Sequence, residues 1–102
     1  MESFISPKKT EFTIYSISGC PGCVKSKKYL DEQHVPYTEV NCEEYLIENR
    51  ESFLAFIAGI AGKEVKKFPM IFDCSKFVGG FNELKEYCNN NINSSFTTGG
   101  NF

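Results

Sequence analysis

Two cysteines separated by two residues, Cys20-Pro21-Gly22-Cys23, stand where one kind of periodicity gives way to another. Before them, Phe12-Thr13-Ile14-Tyr15-Ser16-Ile17 alternates and is rich in β-branched and aromatic side chains, the pattern of a strand. After them, Cys23 to Gln33 reads as an amphipathic helix. Lys25, Lys27, Lys28, Asp31 and Glu32 mark its wet side, and Cys23 and Leu30 share the other. Ser18-Gly19 supplies the turn. Pro21 suits a first helical position, where its missing N–H would have no partner anyway. Val35-Pro36-Tyr37-Thr38-Glu39-Val40 reads as a second strand. A helical crossover between the two makes them parallel, with a right-handed connection. The cysteine pair therefore opens the helix of a βαβ unit.

The rest of the chain extends that unit. Asn41 to Asn49 is a connector of mixed type with room for a helical turn. Asn49 reads as the N-cap of a helix over Arg50 to Ala61, whose apolar stripe is Phe53, Leu54, Phe56, Ile57 and Ile60. Gly62 stands where a helix-terminating glycine belongs. Phe68 to Phe72 is a short apolar strand with Pro69 near its start. Asp73 to Lys76 is a hairpin turn, and Phe77-Val78 is the returning strand. Gly79-Gly80 breaks it, and Asn82 reads as the cap of a last helix to about Cys88, with Leu84, Tyr87 and Cys88 inward. The predicted order is β-α-β-α-β-β-α: an α/β fold with one four-stranded mixed sheet flanked by helices. Residues 10–89 form the domain. Residues 1–9 are expected to be a flexible lead-in, and the Asn/Ser/Thr/Gly-rich stretch 90–102 a disordered polar tail.

Composition narrows the function. The 102 residues are 41% apolar and 15% aromatic, enough for one core. A formal net charge of -2 argues against a nucleic-acid module, which would be basic. No stretch approaches a membrane span, and Met1 to Thr10 lacks the apolar centre of a secretion signal. Five cysteines, Cys20, Cys23, Cys42, Cys74 and Cys88, are odd in number and unevenly spaced, unlike a secreted disulfide scaffold. A reducing cytoplasmic setting is expected. A monomer is expected too, because no apolar stripe is left uncovered.

Position then assigns chemistry to the pair. Cys20 would lie at a helix N-terminus, where unpaired N–H groups and the helix dipole favour an anion and so a thiolate. Cys23, one turn further in, can reach back and close a small disulfide ring. Cys20 is thus the nucleophile and Cys23 the resolving thiol of an exchange through a mixed disulfide. The alternative is half of a structural zinc site. Zinc needs a second close pair, whereas Cys42, Cys74 and Cys88 are scattered and His34 stands alone, so no metal is expected.

Three motifs in order, Cys20 to Cys23, Lys67-Phe68-Pro69-Met70-Ile71-Phe72 and Phe77-Val78-Gly79-Gly80-Phe81-Asn82-Glu83-Leu84, make the chain from about Phe12 to Cys88 resemble a glutaredoxin of the thioredoxin fold. The resemblance implies a glutathione-dependent thiol–disulfide oxidoreductase that reduces glutathione mixed disulfides and protein disulfides. Glutathione would be the co-substrate, renewed indirectly by glutathione reductase. It implies that Pro69 is a cis-proline and that Phe68 offers its backbone N–H and C=O to glutathione like an added strand. The residues alone leave a trans-proline on an edge strand equally open. Lys67 reads equally as a cation that restores positive charge to the glutathione site and as an ordinary solvated lysine. The resemblance further implies that Gly80 allows close backbone approach and that Phe81 and Asn82 meet the γ-glutamyl carboxylate. A helix N-terminus suits that carboxylate on physical grounds.

The chain departs from the family pattern at three places. Gly22 stands where an aromatic is usual, Ile17 where a lysine is frequent, and Lys67 where a threonine is usual. These departures open two further readings. One is a redoxin fed by a thioredoxin-type reductase and serving a partner such as ribonucleotide reductase. The other is a glutathione-ligated iron–sulfur cluster carrier, favoured by a small residue beside the first cysteine and hindered by Pro21. Arg50, at a helix start, reads as a surface residue, and His34 as a helix end. Cys42 and Cys74 read as exposed thiols, and Cys88 as a small core hydrophobe.

Overall fold

Every residue of the first strand, β1 (Phe12–Ser16), is buried, which requires cover on both faces of the sheet. The computed structural model describes residues 4–91. After β1 come α1 (Pro21–Glu32), β2 (Tyr37–Asn41), α2 (Glu43–Glu48), α3 (Arg50–Ala61), β3 (Met70–Asp73), β4 (Lys76–Gly79) and α4 (Phe81–Asn91). The strands form one sheet in the order β2-β1-β3-β4. β1 pairs parallel with β2, Phe12 opposite Tyr37, and antiparallel with β3, Tyr15 opposite Met70. β3 and β4 form the antiparallel hairpin. This is the predicted mixed four-stranded α/β sheet of the thioredoxin fold.

Alternation along the strands divides the core into two layers. On one face Tyr15, Met70 and Phe72 meet Phe53 and Ile57 of α3, with Val40 and Cys42. On the other, Phe12, Ile14 and Ile71 meet Leu30 of α1 and Leu84 and Cys88 of α4. Three polar side chains are also buried, and each has a partner. The Thr13 hydroxyl accepts from the Lys8 N–H at 2.8 Å. Ser16 donates to Glu39 at 2.6 Å. Ser26 donates to the Gly22 carbonyl at 2.7 Å, inside the first turn of α1.

The structure differs from the sequence reading in five places. The connector after β2 contains a full short helix, α2. Its first turn is set by the Asn41 side chain, which accepts from the Glu43 N–H at 3.0 Å. Glu43 and Glu44 complement the helix dipole there. Six residues are too few for periodicity to reveal. Asn49 does stand at the N-cap of α3, but its side chain makes no capping bond; its carbonyl accepts from Phe53 at 2.9 Å. β2 begins at Tyr37 because the Val35 N–H is spent on the Leu30 carbonyl at 2.9 Å and Pro36 has none. The last helix starts at Phe81, so Gly80 rather than Asn82 is its cap. α4 continues past Cys88 to Asn91, and the polar tail beyond it lies outside the described residues.

Of the predicted lead-in, residues 4–9 are described. Phe4 packs edge-on to Tyr45 and Phe53, with ring centroids 4.8 and 5.5 Å away. The Tyr15 hydroxyl donates to the Ile5 carbonyl at 2.6 Å. No described helix is long and apolar enough to cross a membrane.

Phe53 is fully buried, and its ring meets those of Phe4, Tyr15, Tyr45 and Phe68. Phe53→Ala is expected to cost about 3–5 kcal/mol in urea unfolding. The same truncation at Ile47, 81% exposed, should stay within about 0.5 kcal/mol.

Glu39 yields a pH prediction. Lys27 first and Ser16 second hold its carboxyl below the ordinary range, against partial burial. The unfolded chain therefore binds that proton more readily. The stability involved is complete above about pH 4.3 and is lost as pH falls through the lowered folded value. Glu39→Gln should flatten the fall in melting temperature between about pH 5 and pH 3. An unchanged slope would assign that acid sensitivity to other carboxylates.

Candidate active site

Because β1 and β3 are antiparallel neighbours, the end of one lies beside the start of the other. Gly19, in the left-handed region at φ 69°, turns the chain out of β1 at a conformation that suits glycine. Cys20 then occupies the N-cap of α1 with extended backbone. Its Sγ accepts from the Cys23 N–H at 3.1 Å, and its carbonyl accepts from Cys23 and Val24 at 3.1 and 3.2 Å. Cys20 is partly exposed, and Cys23 is 1% exposed. The two are joined as a disulfide, their Cα atoms 5.3 Å apart. An N–H aimed at the Cys20 sulfur at a helix N-terminus favours its anion once the bond is reduced. Incoming groups meet Cys20, while Cys23 is placed to attack it from inside.

The Phe68–Pro69 peptide bond is cis. The Phe68 ring lies parallel to that of Phe53, centroids 6.4 Å apart, which ties this segment to the core. Pro69 packs on Gly22: a Cβ there would stand 3.0 Å from Pro69 Cδ. The missing aromatic at position 22 thus has a steric counterpart across the site. Ile17, standing where a lysine is frequent, packs against the core layer beneath α3.

Lys67, Phe68, Pro69, Gly80, Phe81 and Asn82, expected together at a glutathione site, all line one cleft of about 770 Å³. Gly22 forms part of its wall, so the cysteines flank the cleft through their intervening turn. At Gly79 the need for glycine comes from the protein itself: φ is 131°, and a Cβ would meet Glu83 Cβ at 2.7 Å. Glu83 reaches back and accepts from the Gly80 N–H at 3.0 Å. The spacing of Gly80 and Glu83 is that of a capping box, the signal that could have located this helix start.

Sequence reasoning missed one contact of the active-site loop. The Ser18 N–H donates to Glu43 Oε2 at 2.8 Å, and the Cys42 N–H donates to the Ser16 carbonyl at 2.9 Å. The first turn of α2 thereby clips the segment leading into Cys20. Hydrogen bonds from Ser18 hold the Glu43 carboxyl below its usual range.

The other candidates have structural places. Cys42, expected to be exposed, is fully buried, because α2 folds the chain back over it. Its thiol donates to the Val40 carbonyl at 3.4 Å, and burial pushes it up to about 12, so it is inert. Cys74 is exposed in the β3–β4 turn, and Cys88 is 2% exposed in the core. His34 ends α1 at φ 59°, where its N–H meets the Asp31 carbonyl. Arg50 is exposed and outside the cleft lining. Among the described residues, no group of three or more His, Cys, Asp or Glu is gathered to hold a metal ion.

The sheet, the cis-proline and the cysteine pair at a helix start define a thioredoxin-fold dithiol protein. The glutaredoxin family model matches residues 12–78, and the chain belongs to the glutaredoxin family. Glutaredoxin 1 of Rickettsia conorii is 34% identical over 71 residues, which cover 70% of this chain and 65% of the relative. The chain thus spans just under two thirds of that relative's length. Glutaredoxin 1 of Francisella tularensis, solved with cacodylate, superposes with a TM-score of 0.69 at 28% identity, over 80% of this chain and 95% of that one. A buckwheat glutaredoxin–glutathione complex shares the fold, with a TM-score of 0.65 at 17% identity, over 86% of this chain and 77% of that one.

If Glu43 fixes the loop before Cys20, Glu43→Ala should lower kcat/KM of the Cys20-dependent reaction about threefold to tenfold. Glu43→Gln, which still accepts from Ser18, should keep most of it. Equal losses in both variants would point to the charge rather than the hydrogen bond.

Proposed function

We propose that this glutaredoxin is a glutathione-dependent thiol–disulfide oxidoreductase, with Cys20 as nucleophile and Cys23 as resolving thiol. The observation that carries this reading is the asymmetry of the pair. The Cys20 sulfur is accessible and receives a backbone N–H at the start of α1, whereas Cys23 is buried behind it.

The reaction follows from that arrangement. The Cys20 thiolate attacks the glutathione sulfur of a mixed disulfide. The other thiol leaves as thiolate and takes a proton, and glutathione stays bonded to Cys20. A second glutathione thiolate then attacks the bound glutathione sulfur, releasing oxidised glutathione and restoring the Cys20 thiolate. With a protein disulfide, Cys23 instead attacks the Cys20 sulfur and expels the second substrate thiol. The enzyme is left as the Cys20–Cys23 disulfide, and two glutathione molecules reduce it. Glutathione reductase and NADPH lie one step upstream.

The cleft supports glutathione as co-substrate. Phe68 lines the cleft with Gly22 and Pro69, and its backbone N–H and C=O would pair with glutathione like an added strand. Phe81 and Asn82 open α4, whose N-terminus suits the γ-glutamyl carboxylate. Lys67 supplies positive charge to the same cleft. A buckwheat glutaredoxin of the same fold forms a complex with glutathione.

The test is glutathione-dependent reduction of a small mixed disulfide, coupled to glutathione reductase and NADPH. Cys20→Ser should abolish activity. Cys23→Ser should retain it, because the monothiol route needs only Cys20. A folded wild type inactive with glutathione, but active with a flavoprotein reductase of the thioredoxin type, would overturn the reading.

A further inference from the structure

The cleft is positively charged in a chain that is not. Lys25 from α1 and Lys63, Lys66 and Lys67 from the α3–β3 connection line it, against Glu64 and Glu83. The lining thus carries a surplus of two positive charges, whereas the whole chain is formally -2. The two acids do little to cancel the lysines locally. Glu83 is turned toward the Gly80 N–H, on the α4 side. Glu64 lies 3.3 Å from Lys66, but their side chains are 75% and 65% exposed, so the pair is largely solvated. The four lysines come from two separate elements and face the same space. The α3–β3 lysines run directly into Phe68, whose backbone is the edge that an extended substrate would meet.

A peptide laid along that edge, with its cysteine at Cys20, passes between these lysines. Concave surfaces lined by one sign of charge raise the local concentration of the opposite sign and speed encounter. They also reject partners of like charge. We propose that the cleft selects protein disulfides whose reactive cysteine lies in an acidic segment, with Lys25, Lys63 and Lys66 as the selecting residues. This deepens the thiol–disulfide exchange proposed above and rests on its dithiol route. The Cys20 thiolate displaces one peptide thiolate, Cys23 then attacks the Cys20 sulfur and expels the other, and two electrons pass from the enzyme dithiol, now the Cys20–Cys23 disulfide, to the peptide.

The test uses two synthetic peptides that differ only in the residues flanking an intramolecular disulfide, aspartates in one and lysines in the other. The full chain is pre-reduced, freed of reductant and mixed with each peptide without glutathione. Single-turnover rates are read by chromatography of the reduced peptide. At low ionic strength the acidic peptide should react about tenfold faster than the basic one. At 0.5 M added salt, where screening acts over about 4 Å, the ratio should shrink to about twofold or less. The double variant Lys63→Glu with Lys66→Glu should remove or invert the order of the two peptides. The ratio is internal to one preparation, so partial loss of folded protein does not alter it. Equal rates at low salt, or an acidic preference that survives the double variant, would overturn the proposal. So would failure to reduce either peptide by a protein active in the mixed-disulfide assay. Failure in that assay alone, with acidic preference intact, would instead remove glutathione dependence.

Discussion

The antiparallel pairing of β1 with β3 is the constraint on which the site depends. Tyr15 lies opposite Met70, so the chain leaving β1 toward Cys20 and the chain entering β3 through Pro69 meet at one end of the two central strands. The register is strongly specified, because a one-residue slip would turn Ile14 and Ile71 from one core layer into the other. Burial of both faces of β1 thus does more than stabilise the sheet. It also brings Gly22 against the Pro69 ring, where an added Cβ would stand 3.0 Å from Cδ and the ring would have to give.

On that scaffold the chemistry is largely electrostatic. The helix start presents an N–H to the Cys20 sulfur, and the same helix buries Cys23 one turn later. The cleft beside them is lined by lysines from α1 and the α3–β3 connection and by the opening turn of α4. A thiolate and an anionic ligand gain from the same arrangement of donors and cations. The buried thiols lie outside this environment. Burial raises Cys42 and Cys88 away from the thiolate; Cys74 is exposed in the β3–β4 turn, without the helix start that favours the Cys20 anion.

Much of the fold was legible because its segments follow simple local rules. The alternation of Phe12 to Ile17, the stripe of Phe53, Ile57 and Ile60, and Gly62 after Ala61 each carry their own signal. The turn of α2 carried none, since six residues with mixed polarity are consistent with a loop. That omission also hid the Ser18–Glu43 contact and made Cys42 look exposed. Asn82 reads as a cap by residue type alone, whereas the reach of Glu83 to Gly80 shows that the cap, and with it the helix start, lies two residues earlier.

The sequence by itself determined the order of the four strands and of α1, α3 and α4, the position of the dithiol at a helix start and the inward residues Leu30, Phe53, Ile57, Leu84 and Cys88. Those features depend on neighbours within one or two turns, where periodicity, capping and proline geometry act. Only the tertiary structure decided that Phe68, Pro69, Gly80, Phe81 and Asn82 share a cleft with Gly22, and that Lys25 joins Lys63, Lys66 and Lys67 there. It also decided that Phe4 is held by Tyr45 and Phe53, and that Glu43 secures the loop before Cys20. These contacts join residues tens of positions apart. Their existence depends on how two sheet faces are covered at once, which no local pattern encodes.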